Sequence, residues 1–516
     1  MEKKKQETIL TLIFLGILVM FSLNSSLIFS RIDITQNKIY TISQVSRNLF
    51  KDIQEKVYLT YYVTDKLKAV NPVYRQIEDI LREYSLASGD KIVFATIDPV
   101  RDKKTYEAQE YGIMNFESGT QDSPDQANIF VAYSGIVLQY LDRFRVLPLV
   151  QAVDTLEYDL STNLRQLLTN KTKKIAFLVD KGDLDQSSFY SLTNWMKQYF
   201  DVEMVEKGKD ISSEVTCLVI VGGTSLAEFE LYPVDQYLMN GGRLFFMTDA
   251  VMLNFQYGFA MPTPQAPVFE LLKSYGVTVE PALVMENNRL SIPAGRPYNY
   301  FFSSYQDFVA KDNPITARFK TVYFFAANPI SLAPPQGVSA EKLVNTSPYA
   351  VKISQNMPVD PKQVAATYAL TSGEAQTQTV AVVLSGTFPS FFKDKPIPQK
   401  EGEKRDWSYT RPQSEATRVL VVSDSDLISP DYLSYTNYIN LNFFINCIEW
   451  LSNEEDLLAI RTRSQRDLFM GKIQKEDERT AVSNFIIVLN LVGVPLLVVG
   501  AGLLNYFLRR RRRKAA

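Results

Sequence analysis

The chain has 516 residues, 46% hydrophobic and 22% charged, a globular balance with no bias toward disorder. A net charge of -2 gives no case for a nucleic-acid partner, which needs a basic face to displace counterions. Histidine is absent, so imidazole is excluded as base, relay or metal ligand; Cys217 and Cys447, far apart in apolar runs, read as core residues and not as zinc ligands.

Residues 1–8 carry Lys3, Lys4 and Lys5 and precede an uncharged apolar run at 9–29. That is about the 20 residues that cross a hydrocarbon core. A cleaved signal peptide is the competing reading, because Asn24-Ser25-Ser26 offers small residues. Against it, the A-x-A pattern is poor and the run continues through Leu27-Ile28-Phe29.

Residues 31–155 then form a first α/β domain. Ser43 is placed to cap a helix through Val45, Leu49 and Phe50. Val57 to Val63 is rich in strand formers, and Tyr74, Ile77, Ile80, Leu81 and Tyr84 keep helical spacing. A strand over Lys91 to Ile97, a helix over Tyr106 to Tyr111, and strands at Ile129 to Tyr133 and Ile136 to Tyr140 complete the domain. The order β-α-β-α-β-β resembles a thioredoxin-like domain, with Thr64-Asp65-Lys66-Leu67 where thiol enzymes carry C-x-x-C.

A linker helix at 156–172 leads into a second α/β domain at 173–451. The continuous apolar strands Ile175 to Val179 and Val215 to Val221 suit a parallel sheet covered on both faces. Helices over Ser188 to Tyr199 and Leu231 to Met239 alternate with strands at Val202 to Val205 and Leu244 to Thr248, the doubly wound pattern. From about 287 to 417 the pattern loosens into an irregular insertion, with strands at Val364 to Leu370 and Thr377 to Leu384 and an exposed loop from Lys393 to Pro412. Arg418 to Val422 resumes the sheet, and Asn437 to Leu451 is helical.

Residues 452–481 read as a charged stalk. A second apolar run at 482–508 is followed by a basic tail at 509–516. Basic clusters outside both runs place both tips in the cytoplasm and the body outside. Asn490 and Pro495 lie inside the second run: they either contact a polytopic membrane partner or mark a tolerated kink.

The candidate ligand-binding residues follow strands. Asp424-Ser425-Asp426 succeeds Val421-Val422-Ser423 and resembles the D-x-D of haloacid-dehalogenase-type phosphatases, whose first Asp attacks phosphorus. Those enzymes carry it on their first strand, whereas here it is late; the alternative is that Asp and Ser cap the next turn. Gly222-Gly223-Thr224-Ser225 follows a buried strand but lacks both G-x-G-x-x-G spacing and a P-loop lysine, so a tight turn competes with a phosphate cradle.

The ordered set of motifs is similar to the Gldg family of ABC-transporter auxiliary proteins over nearly the whole chain. It comprises Arg31-Ile32-Asp33-Ile34-Thr35 with Tyr40-Thr41-Ile42-Ser43, Leu156-Glu157-Tyr158-Asp159-Leu160, and Lys174-Ile175-Ala176-Phe177-Leu178. Further along come Leu218 to Gly222, Glu230 to Arg243, Arg418 to Asp426, Asn442 to Leu451 and the Pro495-bearing run with its arginines. Arg31, Asp33, Thr35 and Tyr40 are structural motif residues in this reading. The resemblance implies a bacterial inner-membrane protein working with a separate ATPase and a permease, in some bacteria tied to gliding motility, and an amidotransferase-like central fold. It implies no catalytic residues, metal or cofactor, and the absence of a P-loop agrees that a partner hydrolyses ATP. The function expected is a non-catalytic extracytoplasmic accessory subunit that contacts membrane lipid and binds an envelope glycan or protein ligand. The alternatives are a membrane-tethered glycan- or peptidoglycan-binding module and an Asp-dependent phosphohydrolase.

Overall fold

The computed structural model describes residues 41–460 apart from 124–125, 154, 171, 183–188, 198, 264, 293–294, 317–320, 401–409, 437–438 and 453–459. Both apolar runs, the stalk apart from Ser452 and Ile460, and Arg31, Asp33, Thr35, Tyr40, Asn490 and Pro495 therefore lie outside the described residues. Among the described residues, no helix is long and apolar enough to cross a membrane.

The first domain begins with helix α1 (Gln44–Lys51), capped by the Ser43 hydroxyl, which accepts from the Ser46 amide as the sequence predicts. Strand β1 (Val57–Val63) is followed by helices α2 (Asp65–Val70) and α3 (Val73–Ala87), strand β2 (Ile92–Ile97) and helix α4 (Thr105–Glu110). Strands β3 (Asn115–Ser123), β4 (Gln126–Tyr140) and β5 (Arg143–Leu147) close the unit. The sheet runs β2-β1-β4-β3 with β5 also on β4; β1 is parallel to β2 and antiparallel to β4.

The two strands expected at Ile129 to Tyr133 and Ile136 to Tyr140 are one strand. Gly135 lies where they join, and a Cβ there would stand 2.7 Å from the Ile113 side chain and 3.0 Å from the Pro148 carbonyl oxygen. Close approach, not a turn, calls for glycine at this point.

Helix α5 (Leu156–Thr169) sends Leu156, Leu160, Leu164 and Leu167 into the core of the first sheet. Tyr158, on another side of the helix, packs into the core of the second. The second domain contains β6 (Lys174–Asp180), α6 (Tyr190–Met196), β7 (Asp201–Met204), β8 (Val215–Gly222), α7 (Glu228–Met239) and β9 (Leu244–Met247). Strands β10 (Val251–Asn254) and β11 (Phe259–Pro262), helix α8 (Pro267–Ser274), and strands β12 (Val277–Val279), β13 (Leu283–Met285), β14 (Arg289–Ser291), β15 (Pro297–Tyr305), β16 (Thr321–Phe325) and β17 (Ile330–Leu332) follow. Next come β18 (Val338–Asn345), β19 (Val351–Ile353), β20 (Met357–Pro358), α9 (Pro361–Thr371), β21 (Thr379–Pro389), β22 (Gln413–Val422), α10 (Pro430–Tyr435) and α11 (Ile439–Leu451).

The main sheet has the order β18-β21-β22-β9-β8-β6-β7. The five strands from β22 to β7 are parallel, and β21 and β18 extend them antiparallel. Ile175, Phe177, Val219 and Val221 face a core shared with α11, whereas Ala176, Leu178, Leu218 and Ile220 face α7 and α8. Burial on both faces explains why these strands read as unbroken apolar runs.

Two expectations for the later chain need correction. The stretch at about 287–417, read as an irregular insertion, contains β18, β21 and the start of β22, all strands of the main sheet. Val364 to Leu370, read as a strand, belongs to helix α9; Asp360 caps it by accepting from the Lys362 and Gln363 amides, and Pro361 occupies its first position.

Candidate functional site

Parallel α/β sheets bind ligands at the carboxyl ends of their strands, where the strand order reverses direction. Here that point is β6, which has β7 on one side and β8 on the other. Asp180 and Lys181 stand at its end, Gly222 and Gly223 at the end of β8, Asp249 just past β9, and Asp424-Ser425-Asp426 past β22. The structure thus gathers the sequence-predicted residues along one edge and adds Asp180, Lys181, Asp249 and Lys207, which sequence reasoning missed.

Two knots of charge fill this edge. In the first, Lys181 pairs with Asp426 at 2.6 Å and with Asp249 at 3.5 Å. Asp249 accepts from the Ser425 amide at 2.8 Å and from its hydroxyl. Burial alone would pull the Lys181 pKa down, but Asp249, Asp426 and Asp424 together outweigh it and raise the value. Asp424, only 1% exposed, accepts from the Phe325 amide at 2.7 Å and the Asp426 amide at 2.8 Å. Desolvation above all, with Asp426 and Asp249 adding like charge, drives its carboxyl well above the usual range.

In the second knot, Asp180 accepts the Ser225 amide at 2.8 Å, the Ser225 hydroxyl and the Lys207 ammonium. Burial pushes the Asp180 pKa up, and these donors more than reverse it, leaving the group below its ordinary value. Gly222 has φ +80°, and a Cβ on it would overlap the Asp180 carbonyl oxygen. The glycine pair therefore lets the β8–α7 turn close onto the end of β6. The Ser225 amide, which a phosphate cradle would use, already serves Asp180.

Asp424 meets two backbone amides instead of an open crevice. Its buried position does not suit a nucleophile that must reach phosphorus. Among the described residues, no three acidic or thiol groups converge to hold a metal.

Asp424 also ties the main sheet to the inserted elements through Phe325. Asn328 reinforces the tie: its amide donates to the Ser423 carbonyl, and its side chain accepts from the Ala250 amide and donates to the Ala282 carbonyl. On the other side of Phe325 opens a cavity of 530 Å³. Its rings are Phe255, Tyr298, Phe301, Phe325, Tyr432 and Tyr435, and Arg296 and Asp360 add charge. Phe325 stacks on Tyr432 at 4.5 Å between centroids. No sequence motif marks this cleft, because its residues come from six separate elements and turns.

Comparison with known proteins gives one family match that spans the whole second domain and another within the first. Residues 172–453 match the family described as an ABC-type uncharacterized transport system, and residues 36–139 match a domain of unknown function. An uncharacterized protein of Borreliella burgdorferi is 24% identical over 531 residues, covering 100% of both chains. Among solved structures, a ThuA-like protein from Bacteroides uniformis aligns with TM-score 0.29 and 10% identity, over 54% of this chain and 91% of that one. A β-galactosidase from Halorubrum lacusprofundi aligns with TM-score 0.18 and 13% identity, over 53% and 44%. At such scores neither structure carries an argument.

Proposed function

Because the chain belongs to the ABC-type uncharacterized transport system family of transporter auxiliary proteins, we propose that it is the extracytoplasmic, non-catalytic accessory subunit of a bacterial inner-membrane ABC complex. The observation that carries this reading is the extent of the family match, which runs from just before β6 to just after α11. In this reading both tips are cytoplasmic, the apolar runs at 9–29 and 482–508 cross the bilayer, and the first domain is a thioredoxin-like scaffold without a thiol pair. A permease and a separate ATPase supply transport and ATP hydrolysis, in an assembly of the Gldg type serving the envelope or gliding. The carboxyl edge of the main sheet supports a non-catalytic role, since its charged groups are spent on one another.

Purification of the full chain in mild detergent tests the proposal. Recovery together with a permease and an ATPase is the expected result; repeated recovery of the chain alone would overturn it. Protease added to intact spheroplasts tests the orientation: the body is expected to be trimmed, and its survival would overturn the extracytoplasmic placement.

A further inference from the structure

We infer that the aromatic cleft beside Phe325 is a saccharide site whose ligand carries an anionic group. The inference deepens the accessory reading, since it names the class of ligand such a subunit would present to its transporter. Its first support is the exposure of the rings. Phe255 is 66% exposed and Tyr435 50%, above a floor of buried Tyr298, Phe301 and Phe325. Aromatic surface left open over a packed floor marks a recognition site and not a core.

The second support is charge. Arg296 is exposed in the cleft, and its guanidinium has no hydrogen bond or ion pair among the described residues. Asp360 uses Oδ1 to cap α9, while its Oδ2 has no partner among the described residues. A planar fork of donors and a carboxylate acceptor thus share one cavity with the rings.

The third support weighs against a peptide strand. The floor strand β15 is paired on both flanks, by β14 and β16. At the end of β16, the Phe325 amide is already given to Asp424. With the β15 backbone and the Phe325 amide both taken, recognition at these floor residues falls to side chains rather than to added backbone hydrogen bonds. A sugar ring matches what remains. Its C–H face lies against an aromatic ring, its hydroxyls donate to Asp360, and a carboxylate or phosphate substituent meets the Arg296 fork. The volume of 530 Å³ falls within the range of about 300–1,000 Å³ typical of small-ligand sites.

The full chain in mild detergent would be applied to an array of acidic saccharides (uronic, muramic and phosphorylated sugars) with their neutral counterparts, and to a peptide array. Acidic saccharides are expected to retain it. Arg296→Ala should cut that signal at least about tenfold, the loss of one charge-assisted contact. Phe255→Ala should weaken acidic and neutral sugars alike, and Arg296→Lys should restore part of the acidic signal. Both side chains are exposed, so the urea midpoints of the variants should match the parent and exclude misfolding as the cause. Acidic sugars retained no better than neutral ones, a signal indifferent to Arg296→Ala, or peptides captured in an Arg296-dependent way would each overturn the inference. None of these outcomes touches co-purification with a permease, so the accessory reading stands or falls separately.

Discussion

Lys181→Met removes the cation at the centre of the carboxyl-edge knot while keeping the aliphatic stem. Asp249 and Asp426 then lie no farther apart than the two contacts of 2.6 and 3.5 Å laid end to end allow. Two like charges at about 6 Å repel by roughly 3 kcal/mol at an effective dielectric near 20. Lys181 and its two partners are each 22–23% exposed, so water screens part of this. We expect a net loss of about 2 kcal/mol at pH 7, below the roughly 3–5 kcal/mol of a broken, fully buried pair. Urea unfolding of the full chain in detergent, followed by tryptophan fluorescence, measures it.

The pH dependence has a definite sign. A raised lysine pKa contributes stability below its unfolded value of about 10.4, lost as pH rises through the folded value. The raised Asp424 pKa acts oppositely: charging it burdens the fold, and that burden lifts as pH falls from its folded value toward the ordinary carboxylate value. Without Lys181 the burden grows, so the deficit of the variant should shrink as pH falls toward the ordinary carboxylate range of about 4. Adding Asp426→Asn should recover part of it. A variant within about 0.5 kcal/mol of the parent at pH 7, or a deficit that does not shrink as pH falls toward about 4, would refute the electrostatic account.

Asp180→Asn loses the ionic contact with Lys207 and one acceptor for Ser225, which should cost about 1–3 kcal/mol at neutral pH. Because the Asp180 pKa is depressed, the parent should lose this advantage as pH falls below about 4, and the two urea midpoints should converge there. Gly222→Ala forces a Cβ onto the Asp180 carbonyl at φ +80° and should cost more than about 3 kcal/mol, read as lost protease resistance. Burial pushes the Cys217 thiol up to about 12, and Cys447 is fully buried as well. Neither should react with a maleimide at pH 8 until urea is added; labelling of the native chain would contradict their burial.

Some of this architecture was legible because local chemistry and final environment agree. The runs in β6 and β8 are apolar because both faces are covered, and Ser43 caps α1 through its own side chain. Where two local signals compete, the sequence misleads: Val364 to Leu370 carries strand formers, yet Asp360 and Pro361 start a helix. Gly135 punctuates β4 without ending it.

The site was legible only by halves. Asp424 to Asp426 and the glycine pair each follow an apolar strand, and so do Asp180-Lys181 and Asp249, which the same rule would have found. That Lys181 faces Asp249 and Asp426 depends on the strand order β22-β9-β8-β6, which periodicity does not encode. The aromatic cleft is harder still, since rings from Phe255 to Tyr435 meet only after the inserted strands dock.

Helix α5 sets the last expectation, because it belongs to both domains. Its leucine face fills the first core, its Tyr158 enters the second, and the Tyr158 hydroxyl donates to Glu449 of α11. Glu157 binds the α1 turn by accepting from the Ser43 amide and the Ser46 hydroxyl, both at 2.7 Å. A helix buried on two faces cannot loosen without opening both cores, so the domains should share one cooperative unit instead of unfolding in turn. Leu160→Ala removes a fully buried side chain from the first core alone, a loss of about 2.7–5 kcal/mol. Hydrogen exchange should then show β6 and β8 losing protection together with β1 and β4. Protection lost in β1 and β4 but retained in β6 and β8 would mean that α5 is only a tether and that the two sheets unfold independently.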